Sequence, residues 1–229
     1  MTGALLNTAT VLAGSSVGLI LKSRLPERVQ TGTLRVLGAV TLALGAKMII
    51  ETRNVLILVA ALAAGVATGS FLRIQSRLEG AAQRIQQRFV RGVGSSRVAE
   101  GFVAASLLFC VGPMTIIGSL KDGLTGDYRL IAVKSMMDGV AALAFAASTG
   151  WGVLLSAVTV FVVQGGITLA ARALSGFFTP PLIAETSAVG GALVLCIGLG
   201  LTGIKKLPVA DYLPAIIYAP LLTRLLQLF

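Results

Sequence analysis

The sequence predicts an all-α integral membrane protein of about eight transmembrane helices, and three observations carry that prediction. Hydrophobic residues make up 55% of the 229-residue chain and charged residues only 12%, against about 25% charged in a soluble domain. Apolar runs near the roughly 20 residues needed to span a bilayer recur at 4–21, 32–50, 54–72, 101–120, 130–148, 152–172, 183–204 and 211–228. Basic residues flank these runs, so the net charge of +10 fits membrane orientation better than nucleic-acid binding.

The first run has no basic leader and is long for a cleaved signal, so it is expected to be the first spanning helix. The connection after it holds Lys22, Arg24 and Arg28, and the connection after the third run holds Arg73, Arg77, Arg84, Arg88, Arg91 and Arg97. With eight crossings, Lys205 and Lys206 fall on that same side, while Arg53, Arg129, Arg172 and Arg224 are spread thinly on the other. The positive-inside rule then puts both termini outside and the long basic loop 73–100 in the cytoplasm. Within 73–91, Ile74, Leu78, Ala82, Ile85 and Phe89 recur at helical spacing among arginines. This is the pattern of a basic amphipathic helix resting on anionic lipid, or of one that engages a protein partner.

An internal repeat organises the rest. "RVLGAVTLALGA" (35–46) aligns with "AVGGALVLCIGL" (188–199), pairing Val36 with Val189, Gly38 with Gly191, Leu42 with Leu195 and Gly45 with Gly198. Upstream, "LLNTATV" (5–11) matches "LLSAVTV" (154–160); downstream, Asn54 and Leu56 fall near Asp211 and Leu213. The repeats start five helices apart, an odd number, so they cross the membrane in opposite senses, as in many secondary transporters. The expected organisation is a three-helix repeat at 1–72, a basic amphipathic linker at 73–100, a central broken helix pair at 101–150 and a second three-helix repeat at 151–229. Within the central pair, Ser119-x-x-Asp122-Gly123 is echoed by Ser135-x-x-Asp138-Gly139.

The chemistry is expected where "LLFCVGPMTIIGSLKDGLTGD" (107–127) interrupts its own helix at Gly112-Pro113. Proline removes a backbone donor, and a break in hydrocarbon must face protein or a water-filled cavity. It is therefore either a packing kink, with glycine letting a neighbour approach, or the lining of a site. Lys134 and Asp138 lie four apart on one helical face, as a structural ion pair or a pathway pair. Asp122 and Asp127, at the end of the preceding helix, are solvated loop residues or pathway residues. Asn7, Thr10 and Gln164 sit inside apolar runs, where such groups bond across helices or serve as neutral ligands. Lys47 and Glu185 lie near helix ends, where they snorkel or cap. Gly14-x-x-x-Gly18 and Gly65-x-x-x-Gly69 are close-packing faces that serve helix assembly within the chain or in a homo-oligomer.

Enzyme motifs are missing: no Walker loop, HExxH, GxSxG or CxxC occurs, and there is no histidine. Cys110 and Cys196 read as small buried hydrophobes. No catalytic role, cofactor or metal is expected.

The blocks "LLFCVGPMTIIGSLKDGLTGD", "KSMMDG" (134–139), "QGGITL" (164–169), "AVGGALVLCIGLGL" (188–201) and "LPVADYLPA" (207–215) resemble the bacterial multi-pass membrane proteins of the domain-of-unknown-function 554 family, the YqgA-like proteins. The likeness runs along nearly the whole chain. It implies a polytopic plasma-membrane protein and brings no substrate. Where the family usually has asparagines, this chain has Gly200 and Asp211, so no role tied to an amide carries over there.

The function expected is a secondary transporter or channel for a small ion or polar solute. Gly112 and Pro113 open a helix, Asp138 and Asp122 attract a cation or carry a proton, Lys134 is the counter-charge, and Asn7 and Gln164 add neutral ligands. The alternative is a non-transporting scaffold or signalling component acting through the basic loop.

Overall fold

A computed structural model describes residues 1–22, 26–80, 95–174 and 176–226. The described residues form, in order, α1 Thr2–Lys22, α2 Glu27–Ile50, α3 Val55–Leu72, α4 Ser95–Cys110, α5 Pro113–Thr125, α6 Arg129–Thr149, α7 Gly152–Leu169, the short α8 Ala171–Leu174, α9 Pro180–Leu201 and α10 Ala215–Leu226. A 3-10 turn at Val209–Tyr212 precedes α10, and residues 74–80 are also helical. Among the described residues there is no strand. Among the described residues seven spans are long and apolar enough to cross a membrane, or eight if the bent pair of α4 and α5 counts as one span.

The fourth expected span, 101–120, is therefore two helices. They meet at a 59° bend. Gly112 is the N-cap of α5 and Pro113 opens it, a position where proline's missing N–H is no loss to the helix it starts. A side-chain carbon added at Gly112 would meet nothing within 4 Å, so this glycine does not serve a close helix approach, contrary to the sequence expectation. The apolar part of the expected amphipathic helix beyond Leu78 (Ala82, Ile85 and Phe89), with Arg84, Arg88 and Arg91, lies outside the described residues, as does Arg24.

Packing divides the chain into two units, Met1–Leu37 with Glu100–Phe178, and Gly38–Ala99 with Thr179–Phe229. In the first unit α1 lies against α6 and α7, and α5 against α7, α6 and α8. Small residues permit this. The Cβ positions of Gly14 and Gly18 fall on the backbone oxygens of Gly139 and Leu143, so any larger residue there would push α1 off α6. Gly3 meets Ile131, Gly14 meets Gly139 and Gly18 meets Leu143, so the two helices advance in the same sense and α1 and α6 are parallel. The glycine of each Ser-x-x-Asp-Gly echo plays the same part: Gly139 meets Thr10 of α1, and Gly123 meets Thr168 and Ala171.

In the second unit α3 packs on α10, and α9 on both. The N-terminus of α3 is capped by Asn54, whose side chain accepts from the Leu56 N–H at 3.0 Å. Its last turn ends at Arg73, in the left-handed region at φ 52°. The α2–α9 contacts have a distinctive form. Gly38 meets Leu201 and Thr202, while Gly191 meets Met48 and Ile49; Gly45 meets Leu195, while Gly198 meets Leu42. Each contact becomes another of the set when every residue is exchanged for the one 153 positions away, the offset of the aligned glycines. The two helices are antiparallel, and this part of their contact is locally twofold.

Candidate functional site

The interrupted helix leaves one carbonyl without its ordinary partner. In a continuous helix the N–H of residue 113 would bond the carbonyl of residue 109, but residue 113 is proline. The freed Phe109 oxygen is taken instead by two side chains: Lys134 Nζ donates to it at 2.7 Å and Thr115 Oγ1 at 3.1 Å. The same Lys134 Nζ pairs with Asp138 Oδ2, and Asn7 Nδ2 donates to that carboxylate oxygen at 2.9 Å. Thus a bare carbonyl, an ammonium, a carboxylate and an amide form one connected group from α4, α6 and α1. All four are buried, with Lys134 only 8% and Asp138 only 6% exposed. The expected four-residue pairing of Lys134 with Asp138 is present, and the break supplies its third member.

Asp122 differs from its loop reading. It is 5% exposed, on the buried face of α5, where its Oδ2 accepts from the Gly3 N–H at 3.0 Å and lies 3.0 Å from the Met1 amino group. It therefore holds the first turn of α1, where unpaired N–H groups favour a negative charge. Asp127 is exposed, and its Oδ1 accepts from the Arg129 N–H at the start of α6. It lines an open groove together with Thr125, Gly126, Tyr128, Arg129, Ala132 and Val133, and that groove does not include Asp138.

The helices that carry Asp122 and Asn7, with α7, also hold a set of polar groups with no protein partner among the described residues. Asn7 Oδ1, Ser119 Oγ, Thr168 Oγ1 and both amide atoms of Gln164 are buried and unbonded among the described residues. Gln164 therefore does not make the expected bond across helices. Register brings three of these residues to a common depth. Gly3 lies beside Asp122, and Gly123 beside Thr168. Asn7, Ser119 and Gln164 each stand about one helical turn inward of those contacts, roughly 5 Å. Thr10, by contrast, bonds its own helix through the Asn7 carbonyl at 2.9 Å.

The second unit carries a different buried acid. Glu185 on α9 is 1% exposed and accepts from Thr52 Oγ1 at 2.6 Å, the Arg53 N–H at 2.7 Å and the Asn54 N–H at 2.9 Å. It is a cap, one of its two expected roles, but for the turn before α3 and not for its own helix. Asp211 likewise accepts from the Gln75 N–H at 2.7 Å, and Gln75 Oε1 accepts from the Ala210 N–H at 3.1 Å. Among the described residues no cluster of three or more His, Cys, Asp or Glu could hold a metal ion.

Phe109, Thr115, Ser119 and Thr168 were missed as site residues. Phe109 was legible in principle, as the residue four before a proline inside an apolar run. Ser119 also opens the Ser-x-x-Asp-Gly echo. Thr115 and Thr168 carry no such signal, because threonines in membrane helices usually bond their own backbone, as Thr149 does.

The model of the family described as "Protein of unknown function (DUF554)" matches residues 2–224. The "Uncharacterized membrane protein YdfK" of Bacillus subtilis (strain 168) is 30% identical over 233 residues, covering 100% of this chain and 98% of that protein. The "Uncharacterized protein YqgA" of Escherichia coli (strain K12) is 30% identical over 220 residues, covering 95% and 94%. No solved structure matches the chain. A membrane protein by its spans and in likeness to YdfK, and matched from one end to nearly the other, the chain belongs to the DUF554 family.

Proposed function

We propose that the protein is a secondary transporter or channel for a small ion or polar solute, whose pathway runs through the polar interior of α1, α5, α6 and α7. One observation carries the reading: the Lys134 ammonium bridges the carbonyl freed by Pro113 and the carboxylate of Asp138. Ionisable groups inside a membrane segment are costly and mark ion or proton pathways more often than not. A break that exposes a carbonyl is tolerated where it lines a cavity or is buried in protein. The unbonded Asn7, Ser119 and Gln164 groups extend the polar interior toward Asp122, and the space beside Gly112 is open. The exchange-symmetric contacts of α2 with α9 support an inverted repeat of α1–α3 with α7, α9 and α10, the arrangement common in secondary transporters.

The same proposal places the protein in the bacterial inner membrane. Loop 73–100 faces the cytoplasm, with 73–91 on anionic lipid. No chemical turnover is assigned to the chain.

The test is flux. Purified protein in phosphatidylethanolamine–phosphatidylglycerol vesicles is challenged with gradients of protons, alkali cations, ammonium and halides, read by an internal pH dye and by solid-supported-membrane currents. At least one gradient should dissipate faster than in empty vesicles, and Asp138→Asn should return it to their rate. A folded wild type that moves none of these ions, with truncation of 81–94 instead abolishing a cellular phenotype, would favour the scaffold.

A further inference from the structure

We infer that Lys134 is a tethered stand-in for a monovalent cation, and that a sodium-, lithium- or potassium-sized ion displaces it from Asp138 with release of one proton to water. The inference rests on the transport reading for the ion's route of entry. The exchange itself is a property of the site.

The geometry is that of a cation site with the cation supplied by the protein. Lys134 Nζ lies between an anionic oxygen, Asp138 Oδ2, and a neutral backbone oxygen, that of Phe109 at 2.7 Å. Thr115 Oγ1 shares the Phe109 oxygen. Asn7 is fixed by its Nδ2 bond to Asp138, so its Oδ1 is left over, buried at 0% exposure and without a protein partner among the described residues. A carboxylate and a carbonyl oxygen thus hold one positive charge, and the amide that bonds the same carboxylate carries a spare oxygen that does not bond Lys134. Carboxylate, carbonyl and amide oxygens are hard ligands. A single carboxylate is few for a divalent ion, and the described residues hold no acidic cluster.

Charge balance fixes the stoichiometry. The occupied site is neutral as Asp138 carboxylate plus Lys134 ammonium. Adding M⁺ to a buried site without removing a charge would leave an uncompensated ion, which is strongly unfavourable. The balanced step is therefore M⁺ plus Lys134–NH₃⁺ going to M⁺ bound on Asp138 plus Lys134–NH₂ plus H⁺, neutral before and after.

Few other groups can supply that proton. On α6 itself the other charged residue is Arg129. On α1, Asn7 is neutral and Lys22 lies at the far end. The Met1 amino group is held at Asp122. On α5, Lys121 is exposed and Asp122 accepts from the Gly3 N–H. Cys110 of α4 adjoins Phe109, Glu100 lies several turns away along the same helix, and α7 carries no titratable side chain.

The experiment measures proton release from the detergent-purified full chain. Sodium, lithium or potassium chloride is added in weak buffer with a pH indicator, and choline chloride is the control. We expect acidification approaching one proton per chain with at least one alkali cation and none with choline. Lys134→Arg keeps the positive charge on Asp138 but cannot deprotonate. It should melt as the wild type does and release nothing. Release undiminished in Lys134→Arg overturns the inference. So does cation binding to the wild type, seen by calorimetry, without a proton released, a result that needs no variant to fold. Vesicle flux separates the two readings. Alkali transport that carries net charge overturns the exchange while leaving transport standing. Proton release in detergent with no flux in vesicles supports the exchange and removes transport.

Discussion

Asp138 and Glu185 are both buried acids in a membrane protein, and they are held in opposite ways. Glu185 is bound by two backbone N–H groups and the Thr52 hydroxyl, at the N-terminal end of α3, where the helix dipole favours a negative charge. Those backbone donors cannot leave without unwinding the turn. Asp138 is bound by two side chains, Asn7 and Lys134, which can turn aside by rotamer changes, and one of them can lose its charge. The first arrangement fixes a fold; the second can be exchanged. The same contrast separates Ser187 from Ser119. Both hydroxyls are buried and unbonded. Ser187 belongs to the unit of the fixed cap, whereas Ser119 lies on α5, the second half of the interrupted helix.

Three substitutions sharpen this difference, in falling order of effect. Glu185→Ala strands two backbone donors and a hydroxyl at once. At about 1–3 kcal/mol for each group left unsatisfied, the three should cost about 3–9 kcal/mol, read by denaturant titration in detergent. No single second substitution should restore it. Lys134→Met leaves the Asp138 charge buried with one amide, and losing one partner of a buried pair costs about 3–5 kcal/mol. Here a second change should rescue: Lys134→Met with Asp138→Leu should return most of the stability while abolishing flux. Failure of that rescue would mean that the pair is as fixed as the Glu185 cap. Thr115→Val removes one of two donors to Phe109 O and should cost about 0.5–1.5 kcal/mol, as a melting-temperature decrease far smaller than that of either acid-site variant.

Much of the fixed framework could be read from the chain. Apolar length gave the spans, and the glycines that set α1 against α6 and α2 against α9 stood at visible spacings. The break was legible because Gly112-Pro113 has a local cause, and Lys134–Asp138 because four residues is one helical turn. What was not legible has large sequence separation. The burial of Asp122 depends on Gly3, and the bonds of Glu185 on residues 52–54, each more than a hundred residues away. Periodicity within one segment carries no information about which distant turn will meet an acid. For that reason Asp122 read as a solvated loop residue or a pathway residue, and Glu185 as a group that snorkels or caps, with no partner segment named for either.

The account turns on the interior of α1, α5, α6 and α7 being wet, and thiol accessibility measures this most directly. In a background with Cys110 and Cys196 replaced by alanine, Ser119→Cys and Ser187→Cys are each exposed to a small cationic methanethiosulfonate reagent in sealed vesicles. The account predicts that Cys at 119 reacts from the aqueous phase, slows when alkali cation is added, and loses its reactivity in Asp138→Asn, while Cys at 187 stays inert throughout. Equal inertness at both positions in folded protein would show a dry, filled interior and contradict it.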